Sequence, residues 1–79
     1  MNIEHKKTEK LISALYLLTS FFSDLEPMKW RLRELGSKLL SVKESRSLVQ
    51  EIMSLLTVSK NAGLISDMNH EIIHREFGN

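Results

Sequence analysis

Leu11-Ile12-Ser13-Ala14-Leu15-Tyr16-Leu17-Leu18-Thr19-Ser20-Phe21-Phe22 is the stretch whose period decides the fold of this 79-residue chain. At about 100° per residue, Leu11, Leu15, Leu18 and Phe22 fall on one narrow stripe, as the inner face of an α-helix requires. Ala14, Leu17 and Phe21 widen that stripe on one side and Ile12 on the other. Glu9, Ser13 and Ser20, with Tyr16 at their edge, leave only a thin polar remainder. A helix so nearly apolar all round needs cover from several directions. It is expected to be the central helix of a bundle, or to face a second subunit as well.

Working outward, the same period defines helix 1 over 4–23 and three further helices. Ser23-Asp24-Leu25-Glu26-Pro27 breaks the chain, because proline disfavours the α conformation in the residue before it and suits the first turn of the next helix. Helix 2 is expected over 27–40, with Met28, Leu32, Leu35, Leu39 and then Val42 on one stripe. Ser41-Val42-Lys43-Glu44 has the spacing of a capping box, so helix 3 is expected over 44–61, burying Leu48, Val49, Ile52, Leu55 and Leu56. Gly63 supplies a left-handed stop. Ser66 caps helix 4, expected over 67–77. Short connections between amphipathic helices make neighbours antiparallel, so the fold class is all-α: one small four-helix bundle over residues 1–79.

A single small domain buries only about 60–65% of the surface that its unfolded chain exposes. Such folds often add a disulfide, a metal or a partner subunit. The chain has no cysteine, which excludes disulfides and thiolate metal sites and favours self-association. The formal charge is +1, too small for a whole-molecule field that would draw nucleic acid or anionic lipid. The balance is uneven: nine Lys/Arg against six Asp/Glu over Met1–Arg46, and two against four over Ser47–Asn79. Lys6, Lys7 and Lys10 ahead of the apolar stretch superficially copy a secretory signal. Ser13, Thr19 and Ser20 interrupt it, acidic S-D-L-E follows it, and it falls short of the ~20 apolar residues of a membrane span. A cytoplasmic protein without a membrane anchor is expected.

Near the other end, His70-Glu71-Ile72-Ile73-His74 spells H-E-x-x-H, the helix that in many proteases presents two imidazoles to zinc and a glutamate to water. The chemistry also needs a third ligand. Only five residues follow His74, and the remaining histidine is His5 at the opposite terminus. On the wheel, His70 and His74 lie opposite an apolar half formed by Ile65, Met68, Ile72, Ile73 and Phe77, so both are expected to face solvent. Asp67, His70 and His74 share a face at i, i+3, i+7 and could chelate a metal adventitiously. Glu71 and His74 also form the E-x-x-H half of a di-iron motif, but such sites need two copies and two more glutamates. No enzyme activity, cofactor or small-molecule substrate is inferred.

Trp30 lies away from the stripe of helix 2, among Glu26, Arg33, Glu34 and Ser37. It either packs under a terminus or against helix 4, or it anchors a contact, since tryptophan beside arginine is common in interface hot spots. Tyr16 is its natural companion. Lys29, Arg31 and Arg33, with Lys38 and Lys43, invite a nucleic-acid reading in which cations neutralise phosphates and the indole stacks on a base. Lys29, Arg31 and Arg33 point in three directions, however, and Glu26, Glu34 and Glu44 dilute the charge, as on a solvated face. A helix-turn-helix around Asn61–Ser66 would expose Asp67, Glu71 and Glu76 to phosphate, which repels it.

Thr8–Thr19 (T-E-K-L-I-S-A-L-Y-L-L-T), Glu26–Gly36 (E-P-M-K-W-R-L-R-E-L-G) and Leu39–Ser41 (L-L-S) together resemble a group of small uncharacterised bacterial all-helical proteins. Some of these append a DNA-binding helix-turn-helix, which is expected to be missing from a chain ending at Asn79. The likeness covers about the first half of the chain and carries no catalytic residue. It implies a helical module that dimerises or receives a partner in a regulatory setting. The expected function is therefore a non-enzymatic protein–protein interaction module, a homo-oligomer or the partner of another helical protein, with Tyr16, Leu17, Phe21 and Trp30 as contacts. The alternative is a nucleic-acid-binding protein using the basic residues of helix 2, and a remoter one is metal binding through the histidines.

Overall fold

The computed structural model describes residues 3–78, with side chains from Lys6 onward. Four helices follow in order: α1 (Ile3–Thr19), α2 (Pro27–Lys38), α3 (Arg46–Asn61) and α4 (Asp67–Phe77). No strand occurs among the described residues. Each helix packs on its neighbours in sequence and α4 returns to α1, closing a ring, while the diagonal pairs do not meet. Neighbours run antiparallel. Arg33, early in α2, reaches Thr19 and Tyr16 late in α1, whereas Gly36, a turn further on, lies against Leu15 and Ile12. The ring corrects the expectation that α1 is the central helix. It has two neighbours like every other helix, and among the described residues nothing further covers its outer side.

The core runs along the inside of the ring: Leu11, Leu15 and Phe22 from the α1 side, Leu32, Leu35 and Leu39 from α2, Ile52 and Leu56 from α3, Ile65 and Ile73 from α4 and its approach. All four stripes contribute at helical spacing, which is why they were recognisable by period. Val42 is the exception on the expected stripe of helix 2. It stands half-exposed beyond the helix end.

Local hydrogen bonding moves three boundaries from where the apolar pattern put them. α1 stops at Thr19, not at residue 23. The Thr19 and Ser20 hydroxyls donate back to the Leu15 and Leu17 carbonyls at 2.6 Å. Phe21 and Phe22 then close tight turns onto the Leu18 and Thr19 carbonyls. Phe22 stays in the core although it has left the helix. α2 ends at Lys38, not at residue 40. There Ser41 donates both its amide N–H (3.1 Å) and its hydroxyl (3.2 Å) to the Lys38 carbonyl. That bond ties Ser41 to the end of α2, so the capping box expected from Ser41 to Glu44 does not form. Instead the Glu44 carboxylate accepts from the Arg46 amide at 2.8 Å, and α3 starts at Arg46 rather than at residue 44.

The other stops follow the sequence directly. Glu26 caps α2 with its own carboxylate on the Met28 amide at 2.8 Å, and Pro27 occupies the first helical position. After α3, Gly63 takes φ +83°. The Leu64 amide reaches the Ser59 carbonyl at 2.8 Å and the Gly63 amide reaches Lys60 at 3.0 Å, the paired bonds of a Schellman stop. The Ser66 hydroxyl accepts from the Asn69 amide at 3.0 Å and opens α4.

Gly36 has a packing role rather than a turning one. A Cβ there would stand 3.1 Å from Leu15 Cδ1, and Leu15 is fully buried. Gly36→Val should therefore destabilise the chain by about 1–3 kcal/mol by overpacking the α1–α2 contact. Gly63→Ala should cost about 1–2 kcal/mol through its left-handed backbone alone. Urea unfolding followed by helical circular dichroism checks both; a Gly36→Val variant as stable as wild type would contradict the close approach.

Candidate interaction surface

The four expected contact residues lie on two different seams of the ring. Tyr16 and Trp30 flank the α1–α2 seam, where Arg33 joins them. Its guanidinium carbon sits 4.6 Å from the Tyr16 ring centroid and 5.7 Å from that of Trp30. Its Nε donates to Thr19 Oγ1 at 2.8 Å and its terminal nitrogen to the Tyr16 carbonyl at 3.3 Å. A cation placed on the last carbonyls of α1 answers the partial negative charge that gathers at a helix C-terminus. Thr19 is fully buried, yet its hydroxyl is satisfied twice, donating to Leu15 and accepting from Arg33. Trp30 closes the same corner: its indole N–H donates to the Asp24 carbonyl at 2.8 Å. Beside it the Lys29 ammonium lies 5.1 Å from the indole centroid and 2.6 Å from Asp24 Oδ1. Trp30 therefore packs on the α1–α2 turn, not under a terminus or against α4. Both rings remain about half-exposed, but the Trp30 N–H and the cations beside the rings are engaged within the fold. This corner is a latch.

The latch accounts for the basic cluster too. Lys29 is buried along its length and paired with Asp24. Arg31 bridges Glu34 within α2 and Glu51 on α3, both at 2.7 Å. Those two hydrogen-bonded carboxylates hold the guanidinium more firmly protonated than usual, Glu34 contributing most. Arg33 is committed to Thr19 and Tyr16. Of the residues weighed for nucleic acid, Arg31, Lys38 and Lys43 are exposed, and Arg31 is already paired with two carboxylates.

On α4 the histidines do not both face solvent, which corrects the expectation. His74 is exposed, but His70 is half-buried against α3, with Nε2 2.9 Å from Thr57 Oγ1. The Thr57 hydroxyl itself donates to the Met53 carbonyl at 3.2 Å, so its lone pair is available to a proton on Nε2. The two imidazoles stack, centroids 5.7 Å apart and planes within 15°. Asp67 is not brought in as a third donor, and no group of three or more His, Cys, Asp or Glu suited to a metal occurs among the described residues. The inner arc of α4 runs through Ile73, Phe77 and His70 rather than through the whole apolar half. Met68 and Ile72, placed in that half by the wheel, point outward.

That displacement exposes the second seam. Leu17 on α1 and Phe21 in the turn past its end are 69% and 88% exposed; on α4, Met68 and Ile72 are 70% and 47% exposed. α1 begins where α4 ends, since Lys7, Thr8 and Leu11 line one opening together with Phe77 and Gly78. The late turns of α1 therefore lie beside the early turns of α4. Around the ring, α1 turns Tyr16 and Ile12 to α2, whereas Leu17 lies about 160° from the buried Leu15, on the outer side of the helix; α4 turns His70 to α3. Half of this strip was missed in the sequence, where Met68 and Ile72 read as core. The signal that identifies it is His70, whose partner Thr57 rotates the helix.

Comparisons with known proteins return nothing: no family model matches the chain, and no curated protein or solved structure matches it.

Two outcomes test the latch. Arg33→Met should lower stability by about 1–2 kcal/mol, losing a charged hydrogen bond and its ring contacts, as read from urea unfolding. Asp24 is held below its ordinary 3.8, first by the hydrogen bond from Lys29 and then by that charge. Its native value lies under its unfolded one, so the unfolded chain binds the extra proton in between, and stability rises with pH there. The stability difference between wild type and Asp24→Asn should be complete above about pH 4 and vanish as the pH falls through the depressed value. Unfolding midpoints across an acid series measure it; a difference independent of pH would remove the ion pair from the account.

Proposed function

We propose that this chain is a non-enzymatic helical interaction module that associates with itself through the α1–α4 seam. The observation that carries the reading is the exposure of Leu17 on α1, Phe21 just past its end, and Met68 and Ile72 on α4, four large apolar side chains borne by two helices that pack on each other. Single exposed apolar residues are ordinary, but several large ones on neighbouring elements are what a contact site offers. The closed ring supports the same reading, because α1 has apolar residues on more of its circumference than two neighbours cover. The polar interior supports it from the other side. The buried Thr19, Lys29 and Ser59 are each engaged within the fold, so the chemistry-bearing side chains serve packing. A cytoplasmic location and a regulatory setting, the latter implied by the bacterial resemblance, belong to the same proposal.

Tyr16 and Trp30 enter this reading as scaffold. They hold α1 and α2 together at the corner beside the strip, so substituting them should change stability before it changes association.

Light scattering over a concentration series tests the proposal. The wild-type mass should rise from that of the 9.1 kDa chain toward twice that value. Leu17→Ser combined with Phe21→Ser should stay at the single-chain mass with unchanged helicity and, being at exposed positions, near-unchanged stability. A wild-type chain that remains at its single mass at high micromolar concentration would overturn it.

A further inference from the structure

We infer that the end of the bundle where α1 and α3 begin is a binding site for a small anionic amphiphile, a carboxylate or phosphate head carrying an alkyl body. The site is separate from the self-association surface and does not depend on it.

The chain has 11 Lys and Arg residues. Four are engaged within the fold: Lys29 by Asp24, Arg31 by two glutamates, Arg33 by Thr19, and Arg75 by Glu71. Six of the other seven gather at one end. Lys6, Lys7 and Lys10 lie in the first half of α1, Lys38 closes α2, Lys43 stands in the link, and Arg46 opens α3. All six are exposed. Far apart in sequence, they meet because antiparallel neighbours set the beginnings of α1 and α3 beside the end of α2. Glu4, Glu9, Glu44 and Glu76 belong to the same end, so cations keep an excess there although the whole chain is nearly neutral. The Glu44 carboxylate is committed locally, to the Arg46 amide at 2.8 Å.

Three of these cations, Lys7, Lys43 and Arg46, line an opening of about 720 Å³, which Glu44 also borders. Leu11, Leu39, Val49 and Phe77 supply its apolar lining. Leu11 and Leu39 are core residues, so the floor of the opening is the end of the core itself. Among the described residues none of the three cations is paired with a carboxylate. Lys43 and Arg46 also stand at the positive end of α3, whose first turn holds no acidic residue. A cation is disfavoured there, and an incoming anion relieves the repulsion. Ligand sites of this size typically join an apolar lining to a few charged groups that fix the orientation. A bare phosphate or a nucleic-acid backbone would use the rim and leave the floor in water. A neutral alkyl compound would use the floor and leave the cations unanswered. An anionic amphiphile uses both.

Amide shifts in two-dimensional NMR spectra of the whole chain test the inference. Decanoate and decyl phosphate, each kept below its micelle-forming concentration, should give saturable shifts centred on residues 7–11, 43–50 and 77–78. Affinity should rise about two- to fourfold per added methylene from octanoate to decanoate. Lys43→Glu combined with Arg46→Glu should weaken both probes about tenfold or more. Carboxylates suit the start of a helix, so this variant keeps α3, as circular dichroism checks. Inorganic phosphate and the neutral decyl maltoside should give no saturable shift at these residues. Absence of saturable shifts with both anionic probes overturns the site, as does a variant that binds them as wild type does. Decyl maltoside binding as tightly as decanoate removes the role of charge and overturns it too. A single-stranded oligonucleotide that saturates the same residues more tightly than either probe overturns it in favour of nucleic acid. Saturation by decanoate or decyl phosphate in a chain that stays monomeric upholds the site and overturns self-association alone.

Discussion

A ring of four short helices gives every helix two neighbours, one inward arc and one outward arc, and the rest of this structure depends on that geometry. In such a ring no helix is enclosed, whatever its composition. α1 has apolar residues over most of its circumference, so its outward arc is left without a helix to match it among the described residues. The inner stripe of Leu11, Leu15 and Phe22 is consumed by the core, and the side bearing Ile12 goes to α2. What remains is Leu17 and Phe21, and they remain because the architecture has no fifth element to place there.

Much of the fold was legible because it rests on local rules. Leu32, Leu35, Ile52 and Leu56 follow the helical period and are buried. Gly63 and Ser66 act at the positions where a left-handed stop and an N-cap belong. What escaped depends on competition between partners. Ser41 has the right spacing to open α3, but Lys38 offers its carbonyl first and Ser41 closes α2. Thr19 and Ser20 sit within a stretch that is apolar on both sides of them, and their hydroxyls, bonding back one turn, accompany the end of the helix that the apolar period would continue. Sequence spacing names the groups able to make a bond. It does not rank them.

The surface was less legible than the core for a related reason. Amphipathic patterning orients a helix only as well as its apolar arc is narrow, and on α4 that arc covers half the wheel. One polar contact then decides the rotation. His70 against Thr57 turns α4 so that Ile73 and Phe77 face inward and Met68 and Ile72 do not. The basic residues of α2 show the converse. Lys29, Arg31 and Arg33 look like a ligand-binding cluster in one dimension, yet each points at a different internal partner: Asp24, Glu51 and Thr19. Scattered directions on the wheel were the sign of that, since a surface that grips phosphate needs its cations on one side.

These two outcomes are connected through the thin stability of a small fold. A chain of this size gains little margin from its core, so it ties its first connection down with charged and aromatic contacts, as Arg33 and Trp30 do at the α1–α2 turn. That fixes the end of α1 from which Phe21 emerges. A partner bound only by the folded chain adds stability through mass action, increasing with the logarithm of its concentration. Apolar exposure that would burden an isolated domain thus becomes a source of stability once a second chain covers it. On the proposed self-association, the latch holds the exposed Phe21 at a fixed angle, and a second chain covering it adds stability that a small core lacks.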